Sequence, residues 1–177
     1  MEKPKKKTKD YEHHEIEPSM VSEPSIPYGY VQDTVASRTI GLMGMEGKKD
    51  FTDIKNNSDF IKVIRSGIPK QAMTHLMEIA DISLTEMASI IHTSDRTLRR
   101  YTAQQRLSPE QSERMVEMAG VYSRGAEVFG SLANFRQWMD SVLLPFGNKK
   151  PKELLDTSIG IGMIMDELGR IEHGIFA

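Results

Sequence analysis

Between Ser83 and Gln111 the chain carries the same helix-start signal twice, and that signal restricts the fold more than any other feature. Ser83 and Glu86 stand in S-x-x-E spacing ahead of Leu84, Met87, Ala88 and Ile91. In this capping box the serine oxygen takes one orphan N–H and the glutamate reaches back to another. Ser108, Pro109 and Gln111 repeat the device, with proline at the first helical position, where its missing N–H costs nothing. The surrounding apolar residues recur three and four apart, the period of a helix face. Ser58 reads as the cap of a helix carrying Phe60, Ile61, Val63 and Ile64, which stops at Gly67. Pro69 suits the first turn of the next helix, which sets Ala72, Met73, Leu76, Met77 and Ala80 on one face. From Pro109 onward, Met115, Ala119, Tyr122, Ala126 and Phe129 step by four and three, a two-heptad seam. Two heptads are too few for a coiled coil, so the seam is read as an antiparallel bundle contact or a dimer seam. A short helix around Leu132 to Met139 holds Phe135 and Trp138; Pro145, Gly147 and Pro151 mark the loop after it. No strand alternation stands out, and the expectation is an all-α chain.

A length of 177 residues allows one core or two small helical units. Residues 1–50 read as a largely flexible N-terminal extension. Lys3, Lys5, Lys6, Lys7 and Lys9 form a basic run, Pro4, Pro18, Pro24 and Pro27 punctuate it, and aliphatics are sparse before Val31. Val31, Val35, Ile40, Leu42, Met43 and Met45 indicate a short ordered piece, with helix and strand both open. The expected division is this extension, a helix-turn-helix domain over 51–120, and a C-terminal unit over 121–177. The absence of cysteine excludes disulfides and thiolate metal sites and fits a cytoplasmic location. The basic N-terminus lacks the apolar stretch of a signal peptide, and the apolar run Ile159 to Met165 is too short to span a bilayer, so no membrane role is expected. Net charge is −2, so any nucleic-acid contact must rest on a local patch.

Such a patch lies in Leu84 to Tyr101, which reads as a helix-turn-helix. Met87 and Ile91 point inward from the first helix, and Ala88 sits where the second crosses closely. The turn is His92-Thr93-Ser94, with Thr93 or Ser94 capping the second helix, anchored by Leu98 and closed by Tyr101. The second helix of this motif enters the major groove N-terminus first. Its DNA-facing residues are expected to be Ser94, Asp95, Arg96, Thr97, Arg99 and Arg100, since arginine reads guanine or grips phosphate and hydroxyls reach either. Four arginines and one aspartate between Ser94 and Arg106 give a local charge of +3 in a mildly acidic chain. His92 stands where such turns often carry glycine for its left-handed backbone.

Enzyme signatures fail individually. Gly41, Gly44, Gly47 and Lys48 imitate a phosphate loop, but Leu42 and Lys49 occupy its defining positions. Gly160-Ile161-Gly162 lacks the third glycine of a dinucleotide fingerprint, because Met165 stands there. His14-Glu15 opens a zinc-protease pattern that Pro18 breaks. His75 and His92 are read as packing or capping residues, and no catalytic residue, metal site or cofactor is expected.

The last helix sets Ile161, Ile164, Leu168 and Ile171 on one face, and Gly174 after His173 reads as its C-cap. Ile175, Phe176 and Ala177 follow. A hydrophobic clasp onto the same helix is poorly served, since the cap partners would be Arg170 and Gly169. The apolar group therefore docks on a partner or elsewhere on its own domain. Gly160, Gly162 and Gly169 either admit a neighbouring backbone or leave a helix that firms only on a partner.

Pro151-Lys152-Glu153-Leu154-Leu155-Asp156-Thr157, followed by Leu168-Gly169-Arg170-Ile171-Glu172-His173-Gly174-Ile175-Phe176-Ala177, resembles the toxin-binding tail of Xre/MbcA/ParS-type antitoxins. Arg96 to Arg100, Arg106 to Ser112 and Glu127 to Gly130 match the same family, so the resemblance covers roughly residues 51–177. Leu143-Leu144-Pro145-Phe146-Gly147-Asn148 departs from the family's asparagine-proline-alanine-leucine-glycine-glycine loop. The resemblance implies a Cro-like helix-turn-helix bundle followed by a small helical toxin-binding unit. It further implies a non-catalytic antitoxin of a RES–Xre pair that dimerises, represses its own operon by binding operator DNA, and blocks a RES-domain toxin that degrades NAD or transfers ADP-ribose. Carried onto this chain, Gly174, Ile175 and Phe176, with Ala177 beside them, would plug the toxin cleft, and Arg170, Glu172 and His173 would make polar contacts. The competing reading is a plain helix-turn-helix regulator whose C-terminal unit only dimerises.

Overall fold

The computed structural model describes residues 35–174, with the side chain of residue 57 set aside. These residues form eight α-helices: α1 Val35–Leu42, α2 Phe60–Ser66, α3 Lys70–Ala80, α4 Leu84–Ile90, α5 Asp95–Arg100, α6 Pro109–Val128, α7 Leu132–Met139 and α8 Ser158–Glu172. Short 3-10 turns occupy Lys49–Phe51, Asn57–Asp59, Leu144–Phe146 and Pro151–Leu154. Among the described residues there is no strand, only isolated bridges between Pro69 and Arg106 and between Leu143 and Lys149. The fold is all-α, and no described helix is long and apolar enough to cross a membrane.

Both capping boxes form as read: Ser83 accepts from the Glu86 N–H and Ser108 from the Gln111 N–H, with each reciprocal bond in place. Ser58 does not cap α2. The N-cap position belongs to Asp59, which makes no side-chain cap bond to α2; instead its Oδ2 accepts from the N–H groups of Lys55 and Asn56, while Asn56 Oδ1 accepts the Ser58 N–H at 3.0 Å in the 3-10 turn that leads into the helix.

α6 is the axis of the molecule, and α1, α2, α3, α7 and α8 all pack on it. Its seam corrects one expectation. Met115 and Ala119 are 0 % exposed and Tyr122 is 1 % exposed within the single chain, so they have no surface to offer a second copy. The seam is the bundle contact instead. Phe135 of α7 meets Tyr122 edge-on, with centroids 5.3 Å apart and an interplanar angle of 82°. Half-buried Phe129 lies 5.8 Å from Phe135 and 5.5 Å from Trp138, which extends the cluster to Phe146. Edge-on and offset contacts of this kind suit the quadrupoles of the rings. The approach of α7 needs Gly125, because a Cβ there would sit 2.4 Å from the Phe135 ring. Ala126 is half-buried.

The short ordered piece expected before Lys48 is a helix, α1; residues 1–34 lie outside the described residues. α1 packs on α6 and buries Ala36 and Ile40, and Met43 and Met45 follow them into the core. Its buried Thr39 hydroxyl donates to the Val35 carbonyl at 2.7 Å, and Arg38 pairs with Glu127 of α6 at 3.0 Å. The expected boundary at 120/121 falls inside α6, which runs unbroken through it.

The buried seam sets a test. Burial, with the carboxylates of Asp140 and Glu86 adding to it, already pushes the Tyr122 hydroxyl well above the phenol range, and a carboxylate there would meet the same desolvation and like charge. Tyr122→Glu should destabilise the fold by about 3 kcal/mol or more, read as a fall in melting temperature by circular dichroism. A dissociated dimer of unchanged melting temperature would reinstate the seam as an interface.

Candidate functional site

α4 and α5 form the helix-turn-helix, and the turn is fixed by hydrogen bonding. His92 is left-handed at φ +55°. Its N–H donates to the Ser89 carbonyl at 3.1 Å and the Thr93 N–H to the Ala88 carbonyl at 2.8 Å, the paired bonds of a Schellman termination with histidine in the usual glycine place. Ser94 then caps α5, its Oγ accepting the Thr97 N–H at 3.1 Å. Leu98 is wholly buried, and Ala88 is buried as well.

That anchoring fixes which α5 side chains face solvent. Arg96, Arg99 and Arg100 are exposed, and Asp95 stands 3.9 Å from Arg99 one turn on. Ser94 and Thr97 share a 2.8 Å hydrogen bond between their hydroxyls, so the cap engages both. The three arginines are the exposed cationic donors of this surface, and their guanidinium forks suit phosphate or guanine edges.

α8 starts at Thr157, whose Oγ1 accepts the Gly160 N–H at 3.0 Å. A Cβ at Gly160 would lie 2.1 Å from the Leu154 carbonyl oxygen, so close backbone approach explains this glycine; Gly162 and Gly169 face open space. Ile161, Ile164 and Leu168 pack inward. The helix ends at His173, and Gly174 follows at φ +66°, its N–H donating to the Ile171 carbonyl at 3.1 Å. Ile175, Phe176 and Ala177 lie outside the described residues.

The polar residues near that end part company. Arg170 is exposed and pairs with Glu167 at 3.2 Å on its own helix, and His173 is exposed. Glu172 turns back to Arg124 of α6. Arg124 also binds Glu127 at 2.9 Å, and Glu127 binds Arg38 of α1 at 3.0 Å. The charge the sequence assigned to a partner is thus engaged inside this chain.

Further polar contacts join the helix-turn-helix to the segment that leads into α8. His92 Nε2 lies 2.7 Å from the Asp156 carbonyl oxygen. Lys152 reaches Asp140 at 2.6 Å and Glu86 at 3.3 Å. Hydrogen bonds from Ser83, helped by Lys152, hold the Glu86 carboxyl below the ordinary carboxylate range, and the bond to Asp140 raises the Lys152 ammonium above its own. Arg114 of α6 donates to Ser158 Oγ at 3.0 Å. An open polar cleft of about 510 Å³ lies beside these contacts, lined by His92, Gln111, Arg114, Glu117 and Ser158 among others. Among the described residues no group of His, Cys, Asp or Glu is spaced to hold a metal. None of these links was legible in the sequence beyond the cap at Ser83 and Glu86, since the partners lie tens of residues apart.

The architecture is that of a helix-turn-helix protein, its arginine face outward, joined through one long helix to a second helical unit. Residues 59–120 match the Antitoxin Xre-like helix-turn-helix domain, and residues 124–174 match the Antitoxin Xre/MbcA/ParS C-terminal toxin-binding domain. Antitoxin Xre of Yersinia enterocolitica is 30 % identical over 145 residues, covering 79 % of this chain and 89 % of the relative. Antitoxin Xre of Photorhabdus laumondii is 24 % identical over 115 residues, covering 64 % and 78 %. The chain belongs to the Xre antitoxin family, with a helix-turn-helix domain and a toxin-binding domain. The two matched regions meet within α6.

The turn allows its backbone and side-chain contributions to be separated. His92→Gly keeps the left-handed turn and loses only the hydrogen bond to Asp156, whereas His92→Val also strains the backbone, at a cost of about 1–3 kcal/mol. Chemical denaturation should rank them wild type, then Gly, then Val; equal destabilisation by both variants would show that the turn stores no conformational preference.

Proposed function

We propose that this antitoxin neutralises a RES-domain toxin, one that degrades NAD or transfers ADP-ribose, by docking residues 174–177 at the toxin's active-site cleft. The observation that carries the reading is the toxin-binding domain match over 124–174, which ends at Gly174, where the backbone turns left-handed and leaves the helix. Arg170 and His173 are exposed beside that exit and supply the polar contacts; Glu172 instead holds the helix end to α6. Ile175 and Phe176 are the apolar anchors, and Ala177 completes the segment. Burial of the first two contributes about 3–6 kcal/mol before ordering costs. The protein acts without catalysis of its own, in the cytoplasm.

In the same reading the helix-turn-helix represses the antitoxin's own operon. Arg96, Arg99 and Arg100 are its phosphate or base contacts, and Ser94, Asp95 and Thr97 shape the helix start. A homodimer presents two copies of α5 to operator half-sites about 34 Å apart. Since most of the α6 seam is buried in the protomer, the dimer contact lies on another surface.

Two experiments test the two halves. Deleting residues 174–177 removes no described core residue, so the shortened protein should keep its melting temperature and DNA binding yet fail to block the toxin in a growth-rescue assay. A large fall in melting temperature with inhibition retained would show that these residues clasp their own fold. Arg99→Ala with Arg100→Ala should weaken operator binding and flatten its salt dependence, the slope falling by about one for each phosphate left without its arginine, with neutralisation nearly unchanged. A wild-type chain that binds no upstream DNA at low salt would remove the repressor half, and indifference of toxin-arrested cells to the full chain would leave the plain regulator.

A further inference from the structure

α8 has a face that its own fold does not use. Opposite the buried Ile161, Ile164 and Leu168, Ile159 is 80 % exposed and Met163 is 42 % exposed. One exposed apolar residue would carry nothing. These two stand on successive turns, about 40° apart around the axis at roughly 100° per residue. Gly162 beside them leaves bare backbone, with nothing within 4 Å of where a Cβ would stand. The same face continues through Asp166 and Arg170 to His173, at spacings of three and four. Glu172 leaves this face, in keeping with its pairing to Arg124. The stripe is therefore apolar at the start of α8, charged in its second half, and continuous with Gly174, where the docking segment begins.

We infer that the toxin grips α8 along its whole outward face, with Ile159 and Met163 as a second anchor about 20 Å from Gly174 at roughly 1.5 Å rise per residue. The occupant is the toxin because the entire stripe lies within the matched toxin-binding domain and runs into the docking segment. The complementary surface is a groove leading away from the toxin's cleft, apolar opposite Ile159 and Met163 and polar opposite Asp166 and Arg170. Binding and inhibition then separate: the stripe holds the partner, and residues 174–177 close its active site. This rests on the docking reading above.

The test is titration of the full chain into purified toxin by calorimetry, beside thermal unfolding and sedimentation of the free chain. Ile159→Ser with Met163→Ser changes exposed side chains only, so the melting temperature should stay put while toxin affinity falls about 10- to 100-fold, the loss expected of a pair of buried anchors. Ile159→Ala, a substitution that favours helix, should show part of the same loss. The chain shortened by residues 174–177 should still bind the toxin while failing to inhibit it. Wild-type affinity in the double variant overturns the second anchor and leaves tail docking intact. Unchanged toxin affinity with altered sedimentation overturns it too, and assigns the face to a second copy of this chain. A wild-type chain that does not bind the toxin overturns this inference and the docking reading together.

Discussion

The contact between Tyr122 and Phe135 over Gly125 is the constraint on which the rest of the structure depends. It fixes α7 against the middle of α6, and α6 alone belongs to both matched regions. On other sides of that helix lie α1, α2, α3 and α8. A protein of this architecture could have joined its helix-turn-helix and toxin-binding domains by a loose linker. Here they share one buried helix, and the apolar core runs through both without a break.

Polar contacts refine this arrangement rather than hold it. The pairs Arg38–Glu127, Arg124–Glu172 and Lys152–Glu86 are partly exposed, and such pairs contribute on the order of 0–1 kcal/mol each. Their value is geometric. They set the last turn of α8 against α6 and the approach to α8 against the helix-turn-helix. His92 does both jobs at once: its backbone makes the turn and its ring reaches Asp156. A glycine in that place would serve the turn equally well but could not make the second contact.

The two outward surfaces follow from the two inward ones. Leu98 and the Ser94 cap leave Arg96, Arg99 and Arg100 facing solvent. Ile161, Ile164 and Leu168 leave Ile159, Met163, Arg170 and His173 facing solvent. In each case burial of one face decides what the other presents, and α6 ties both orientations to a single frame.

What the sequence determined by itself was local. The capping boxes at Ser83 and Ser108, the helix from Leu132 to Met139 and the three-residue turn after α4 each depend on residues within a few positions, so their spacing was enough to read them. Family membership was legible for a similar reason, since it rests on short contiguous motifs. Tertiary structure decided the rest. The heptad seam could serve a second copy or the same chain, because an apolar stripe states only that something covers it; α7 covers it here. The apolar residues of α1 suited helix and strand alike, and they acquired a place only when α6 offered a groove. Glu172 was expected to contact a partner, but the fold brings Arg124 beside it from 48 positions away. Periodicity encodes which face of a helix is buried, but the partner that buries it is chosen by packing among all the helices together.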